Sequence, residues 1–449
     1  MIAVTGTCRP ASIPRTDPGV AKRKQREPLE LTIEALADDG YGLADGGRVG
    51  VTGALPGERV VAMPFTKKKR RLFARAESID APHQARVDPP CAAAAWCGGC
   101  SLQHADPDWQ IAHKFDRLKS AFGNIEPDIW LPPLRGPVSK YCSKARLAVK
   151  YVRAKERVLV GFREKMQPFV ADISRCEILV SPLDSMIEPL AALVSRLSVA
   201  AALPQIEVAC GEERSALVFR HLEPLTEADV AMLCEFGAGH GIDIYAQPGG
   251  LDTVHKLFPD NEPRLHYTLP SHDIDMAFHP MDFTQVNQEI NRNLVDLALD
   301  LLDVDASTTV LDLFCGIGNF TLPLARRAQS VHGVELSETS VERARENANR
   351  NRIRNATFEA KDLFRENALP DVLPDRVLLD PPRSGAAAVC QGLASRKVQR
   401  VVYVSCNPAT LAEDIRVLTE SGYRLERAGV IDMFPHTTHV ESIACLSTD

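Results

Sequence analysis

The chain lacks any apolar run approaching the roughly 20 residues that cross a bilayer as a helix, which excludes a helical membrane protein. Its N-terminal stretch has no apolar core of the kind that marks export, so a cytoplasmic protein is expected. It also lacks an excess of positive charge: the net charge is −7, which spread evenly would argue against a nucleic-acid partner. The charge is uneven, however. Residues 1–80 carry 14 Lys and Arg against 10 Asp and Glu, a local +4 that leaves −11 for the remainder. The densest basic run, Lys67-Lys68-Lys69-Arg70-Arg71, lies in a strand-rich, glycine-punctuated segment, where it reads as a phosphate-contacting surface.

Cysteine is not scarce. Twelve are present, and in a reducing compartment clustered cysteines suggest metal while isolated ones suggest core packing or catalysis. At 449 residues the chain exceeds a single core and should divide into two to four domains. Residues 1–27 are polar, Pro- and Arg-rich and aperiodic, and read as a disordered basic arm. Over residues 28–82 short strands (Leu29 to Ile33, Arg48 to Thr52, Arg59 to Met63) alternate with glycine turns, the pattern of a small oligonucleotide-binding-type β-barrel. Residues 83–270 form a mixed α+β region that opens with the aperiodic stretch Cys91 to Cys100. Residues 271–449 begin with a helix over roughly 287–303 and then alternate strand and helix, which predicts an α/β domain with a parallel, doubly wound sheet. Arg424–Asp432 and Val440–Leu446 are expected to close it as an antiparallel edge.

Chemistry gathers at the carboxyl ends of those strands, where open α/β sheets bind ligands. Asp312-Leu313-Phe314-Cys315-Gly316-Ile317-Gly318-Asn319-Phe320 runs from a strand into a glycine turn, but as G-x-G-x-F, short of the full dinucleotide fingerprint. Glu335, Asp362 and Asp380 fall at the ends of three further strands, an arrangement that resembles class I S-adenosylmethionine methyltransferases, with Glu335 placed for ribose hydroxyls. Asp380-Pro381-Pro382-Arg383 resembles the acid-proline-proline segment of amine methyltransferases, with Arg383 in place of the base-stacking aromatic. One strand later, Ser405-Cys406-Asn407-Pro408 sets a cysteine before a helix, where the helix N-terminus is expected to lower the thiol pKa. Carbon methylation of a pyrimidine needs such a thiolate, because C5 becomes nucleophilic only after addition at C6. It also needs a base for the C5 proton, and Glu441 ranks ahead of His436 and His439 in Met433 through Ser442. Cys315 and Cys390 read as core thiols.

Together with Phe283-Thr284-Gln285-Val286-Asn287, these motifs resemble the RNA (uracil-5-)-methyltransferases over about the last 170 residues. The resemblance implies that Cys406 is the nucleophile and Glu441 the base. It further implies that Gln285, Phe314, Asn319, Glu335, Asp362 and Asp380 line the S-adenosylmethionine site. Cys91, Cys97, Cys100 and Cys176 look like the iron–sulfur ligands of the ribosomal-RNA branch. Spacing alone would favour zinc, and the resemblance turns that to a structural [4Fe-4S] cluster. Strands 28–80 resemble a TRAM domain. The expected partner is 23S rRNA, with a non-helical uridine flipped into the pocket and Phe283 near it; neither DNA nor membrane is expected. Methylation of another rRNA site or of a tRNA uridine by the same chemistry is the alternative. An iron–sulfur redox or RNA-binding protein with an inert C-terminal domain is disfavoured by the joint presence of Cys406, Glu441 and the glycine turn.

Overall fold

A computed structural model describes residues 27–260, 264–365, 369–370 and 374–448; the arm expected over 1–27 lies, apart from Glu27, outside the described residues. The N-terminal strands are β1 (Leu29–Thr32), β2 (Ala35–Leu36), β3 (Gly42–Ala44), β4 (Val49–Thr52), β5 (Arg59–Lys68) and β6 (Arg71–Ala81). They form one sheet in the order β1-β5-β6-β4-β3-β2 around a small apolar core that includes Ile33, Val51, Val60 and Ala74. β5 continues past Met63 to pair with β6, so the run Lys67–Arg71 becomes the tip of a long hairpin, turned by Lys69 at φ +51°. Arg71 lies over the Tyr41 ring at 5.5 Å and is thereby tied back to the sheet.

The central part contains α1 (Pro107–Phe122), β7 (Ile129–Trp130), β8 (Lys144–Val152), β9 (Arg157–Gly161), α2 (Ile187–Arg196), β10 (Gln205–Cys210), β11 (Ser215–Arg220), α3 (Glu227–His240), β12 (Ile242–Gln247) and β13 (His255–Phe258). A second six-stranded sheet, ordered β13-β12-β11-β10-β8-β9, packs on α2 and α3 through Leu190, Leu193 and Leu233. The hairpin of β14 (Leu265–Leu269) and β15 (Ile274–Phe278) leads into α4 (Gln288–Leu302).

The C-terminal part continues with β16 (Thr309–Leu313), α5 (Thr321–Ala325), β17 (Ser330–Glu335), α6 (Glu338–Arg350), β18 (Ala356–Ala360), β19 (Arg376–Leu379), α7 (Ala387–Arg396), β20 (Arg400–Ser405), α8 (Pro408–Glu420), β21 (Arg424–Ile431) and β22 (Glu441–Ser447). The sheet order is β18-β17-β16-β19-β20-β22-β21-β7, with the first five strands parallel. Strand order reverses at β16, so ligands are expected over its carboxyl end. The strands are apolar on both sides, as a sheet covered on both faces requires. α4, α5 and α6 cover one face, and α1, α7 and α8 the other.

The expected antiparallel edge forms, since β22 runs against both β20 and β21, but it is not the end of the sheet. β7 adds parallel to β21, and α1 packs Leu118 and Phe122 into the same core. A segment far upstream is thus built into the C-terminal sheet.

Candidate active site

The ends of β16, β17, β19, β20 and β22 surround one cavity of about 530 Å³. It brings together Gln285, Phe314, Asn319, Glu335, Asp380, Cys406 and Glu441, with Phe283 and Arg383. The β20–β22 register explains the closest juxtaposition. Ser405 is paired with Ser442, so the next residues outward on the two strands are Cys406 and Glu441.

On the β16 side the chain leaves the strand at Phe314 (φ +65°) and turns through Gly316 (φ +55°) and Gly318 (φ +95°). Such backbone is uncommon outside glycine, and its presence at Phe314 marks a segment held by its surroundings. The Gly316 amide donates to Glu335 Oε2 at 3.2 Å and the Ser337 amide to Glu335 Oε1 at 3.0 Å, which fixes the carboxylate beside the turn. Asn319 is locked as firmly: Oδ1 accepts from Tyr267 at 2.8 Å and Asn291 at 3.0 Å, and Nδ2 donates back to Asn291 at 2.9 Å.

Asp362 is the exception among the expected residues, because it does not line the cavity. Its carboxylate accepts from the Phe364 amide at 3.0 Å and pairs with Arg365 at 3.0 Å. Phe364 does line the cavity, its ring centroid 5.7 Å from that of Phe314. Asp362 thus orders an aromatic wall. Of the wall residues, Phe434 falls within the motif Met433 through Ser442, whereas Tyr267 and Phe364 had no local motif to reveal them; only the end-of-strand position of Asp362, two residues earlier, pointed toward Phe364. Phe283 is 75% exposed at the rim, which rules out a core role for it.

The reacting side is short of positive charge. Burial pushes Asp380 up to about 7. Asp312, below the turn, is also raised to about 7, by burial against a hydrogen bond from Thr321 and with the charge of Asp380 adding to the rise; its Oδ1 has no partner. Burial, then Asp380, holds the Glu441 carboxyl well above its ordinary range, opposed by Arg383. Cys406 is pushed up to about 11 by burial and by Glu441 and Asp380, against Arg383. This corrects the expected lowering. The helix that follows Cys406 is outweighed by burial and then by two carboxylates arriving on neighbouring strands, long-range features that the local sequence does not carry. Asn407 caps α8 by accepting from Ala409 at 3.1 Å and donates to the Arg383 carbonyl at 2.9 Å, so the cysteine and arginine turns are joined. Arg383 reaches His439 Nδ1 at 3.0 Å. His436, in contrast, is buried away from the cavity with Nδ1 3.2 Å from Gln110 Nε2.

An acid-rich, partly apolar cavity of this kind fits a cationic ligand with an adenosine part: a positive centre would relieve the carboxylates, and the Phe314–Phe364 wall suits a ring. Elsewhere, Cys97, Cys100 and Cys176 are buried, Cys91 is half-buried, and all four are free thiols. Burial raises Cys100 to about 12, with Cys176, Cys97 and Cys91 adding to the rise, so the four share one neighbourhood. Among the described residues no three His, Cys, Asp or Glu groups are gathered closely enough to hold a metal ion as they stand. Cys315 and Cys390 are in the core, as expected.

A glycine turn after the central strand, an acid on the next strand and a cavity over the strand ends define a class I methyltransferase. Comparison with known proteins carries this further. The tRNA (Uracil-5-)-methyltransferase family pattern matches residues 261–448. The 23S rRNA (uracil(1939)-C(5))-methyltransferase RlmD of Alcanivorax borkumensis is 48% identical over 435 residues, covering 94% of this chain and 98% of that protein. Its counterpart in Alkalilimnicola ehrlichii is 49% identical over 433 residues, covering 94% and 97%. A solved structure, the tRNA (uracil-54, C5)-methyltransferase of Pyrococcus abyssi with S-adenosyl-L-homocysteine, superposes with a TM-score of 0.72 at 26% identity, over 93% of this chain and 100% of that one. The chain belongs to the S-adenosylmethionine-dependent RNA (uracil-5-)-methyltransferase family.

Proposed function

We propose that this enzyme methylates C5 of a uridine in 23S rRNA, at the position that the names of its relatives give as 1939. The observation that carries the reading is the placing of Cys406 and Glu441 side by side in the cavity that Glu335, Asn319 and Gln285 line. S-adenosylmethionine, when bound, supplies an electrophilic methyl group and a positive sulfonium. Gln285, Phe314, Asn319, Glu335 and Asp380 would hold it, with Asp362 acting through Phe364. Cys406 Sγ, ionised by loss of its proton to solvent, adds as the thiolate to C6 of the uracil, placing the electron pair at C5. That pair is what the electrophilic methyl group would meet, with the S–CH3 bonding electrons staying on the sulfur. Glu441 accepts the C5 proton, the C5–H electrons restore the double bond, and the C6–S bond breaks to return the thiolate. The raised affinity of Glu441 for a proton suits this last step, once the residue is ionised.

The N-terminal sheet is read as an OB-like TRAM barrel over 28–82, whose hairpin tip Lys67–Arg71 meets RNA backbone, followed by a central domain over 83–270 and the methyltransferase domain over 271–449. Cys91, Cys97, Cys100 and Cys176 are read as ligands of a structural [4Fe-4S] cluster. Four soft, reduced donors in one neighbourhood support this, and ligation would hold as thiolates Cys97, Cys100 and Cys176, which burial now keeps protonated. Reduced thiols and an rRNA substrate also fit the cytoplasm.

The test is a covalent trap. RNA with 5-fluorouridine at the target has no removable C5 proton, so methylation should leave a protein–RNA adduct stable to denaturation. Wild type should form it on the 23S rRNA segment and not on tRNA, and Cys406→Ala should not form it at all. An adduct with Cys406→Ala would overturn the nucleophile, and preference for tRNA would overturn the substrate.

A further inference from the structure

The loop 432–440, between β21 and β22, brings His439 and Glu441 to the cavity, yet the sheet that it closes does little to hold it. The Phe434 carbonyl accepts from Lys114 Nζ at 2.9 Å, that of Pro435 from the Tyr141 hydroxyl at 2.9 Å, and that of Thr438 from Arg117 at 2.6 Å. His436 is gripped from both sides. Its amide donates to Gln110 Oε1 at 2.8 Å, and its carbonyl accepts the amides of both Ser101 and Leu102 at 2.9 Å each. At φ +63° His436 has a backbone that a non-glycine residue keeps only where its surroundings over-determine it. Lys114 also pairs with Asp432, at the start of the loop, at 2.7 Å, with the two side chains 0% and 6% exposed. Most of these partners lie in α1 or directly after Cys100.

Gln110 joins the two groups. Its Nε2 donates to the Leu102 carbonyl at 3.1 Å and the Ala105 carbonyl at 2.8 Å while its Oε1 holds His436. We infer that Gln110 is a positioning residue for the proton-removal step, acting through His436 to set Glu441, and that it fastens the catalytic loop to the cysteine-bearing segment. The inference rests on the proposed roles of Cys406 and Glu441. The cofactor side belongs to different strands: the turn 314–320 and Glu335 make no contact with this clamp in the bonds that fix them. Loss of the clamp should therefore slow release of the methylated base more than cofactor binding or attack.

The experiment uses the full-length holoenzyme with ordinary and 5-fluorouridine RNA. For Gln110→Leu, turnover should fall at least about tenfold while S-adenosylhomocysteine affinity stays within about twofold. Adduct on 5-fluorouridine RNA should form at near the wild-type rate, and adduct on ordinary RNA, transient in wild type, should accumulate. Gln110→Glu, which keeps an acceptor for the His436 amide, should recover part of the release rate. Should Gln110→Leu fail to fold, Arg117→Met removes the tie to the Thr438 carbonyl from a partly exposed position and is held to the same criteria. Equal slowing of attack and release, or a lowered melting temperature without adduct build-up, would overturn the inference. Failure of the underlying reading shows separately, as adduct formation by Cys406→Ala.

Discussion

Ser405 and Ser442 face each other across β20 and β22, and the Ser442 hydroxyl donates to the Ser405 carbonyl at 3.1 Å. This single register sets Cys406, the proposed nucleophile, beside Glu441, the proposed base. A slip by one residue would turn one of them away from the cavity, since side chains alternate along a strand. The two strands are antiparallel although the five strands from β18 to β20 are parallel, and that reversal is what allows the carboxyl end of β20 and the amino end of β22 to meet at one edge of the sheet.

Glu441→Gln should keep attack and methyl transfer but lose proton removal. Turnover is expected to fall by about 10²- to 10⁴-fold, the usual contribution of a positioned base. Ordinary RNA should then accumulate as a covalent adduct visible on a denaturing gel. Normal turnover in this variant would exclude Glu441 as the base.

Glu335 is held by the Gly316 and Ser337 amides before any ligand enters, so its carboxylate is available at low reorganisation cost. Glu335→Ala removes both the proposed acceptor for ribose hydroxyls and the anchor of the turn. A charge-assisted hydrogen bond is worth about 1.5–3 kcal/mol, so affinity for S-adenosylhomocysteine should weaken roughly 10- to 100-fold by calorimetry. The expected signature is a raised KM for the cofactor with a smaller change in kcat.

The C-terminal fold was legible because buried parallel strands are continuous apolar runs with chemistry at their ends, which located Glu335, Asp380 and Cys406. Helix α1 was not read, although Asp106-Pro107 is a start signal and Asp106 does cap it, accepting from the Asp108 amide at 2.8 Å. Its buried face carries Gln110 and Lys114 among Ile111, Leu118 and Phe122, which blurs the apolar period. Those polar residues are buried only because Asp432 and His436 meet them from the far end of the chain. The same reason hid the rise of the Cys406 pKa, which comes first from burial and then from carboxylates on other strands. Asp362 ended a strand as expected, but its side chain folds back on its own turn, a choice that strand position cannot decide.

The pH dependence of attack follows from the raised thiol. With Cys406 held near 11, the thiolate is a minor species at neutral pH, and the rate of adduct formation on 5-fluorouridine RNA should rise about tenfold per pH unit from 7 upward. Glu441 is also raised and must be ionised to act as the proposed base, so release should depend on pH in the same direction. Arg383 works against both shifts, and Arg383→Ala should move the profile to higher pH and lower the rate at pH 7. A flat profile between pH 7 and 9 would contradict this account.

Gly40 marks where the N-terminal sheet, the cysteine loop and the catalytic loop meet. It lies at φ +81°, and an added Cβ would come 2.6 Å from Ser101 Cβ and 3.2 Å from Thr438 Cγ2. Gly46 has φ +60° with nothing within 4 Å of such a Cβ, so Gly46→Ala carries the backbone cost alone, about 1 kcal/mol. Gly40→Ala should cost more, by about 1–3 kcal/mol, because the clash adds to it. Thermal unfolding of the two variants separates the terms, and equal melting temperatures would mean that the three segments yield freely.

A metal bound by the cysteine set would be identified by what accompanies it. Three thiols come from one short loop, but Cys176 belongs to a distant segment whose amide donates to the Asp184 carbonyl at 2.9 Å. Protein purified without oxygen should contain about four irons and labile sulfide per chain, whereas a zinc site would give one zinc and no sulfide. Cys176→Ser should lower the iron content and the visible absorbance together, since loss of one of the four proposed ligands would open the proposed cluster. Cys142, buried nearby with its sulfur donating to the Lys144 carbonyl at 3.1 Å, is the informative control. Cys142→Ser should leave the iron unchanged if the ligand set is the one named, and equal loss from both variants would place Cys142 in the set instead.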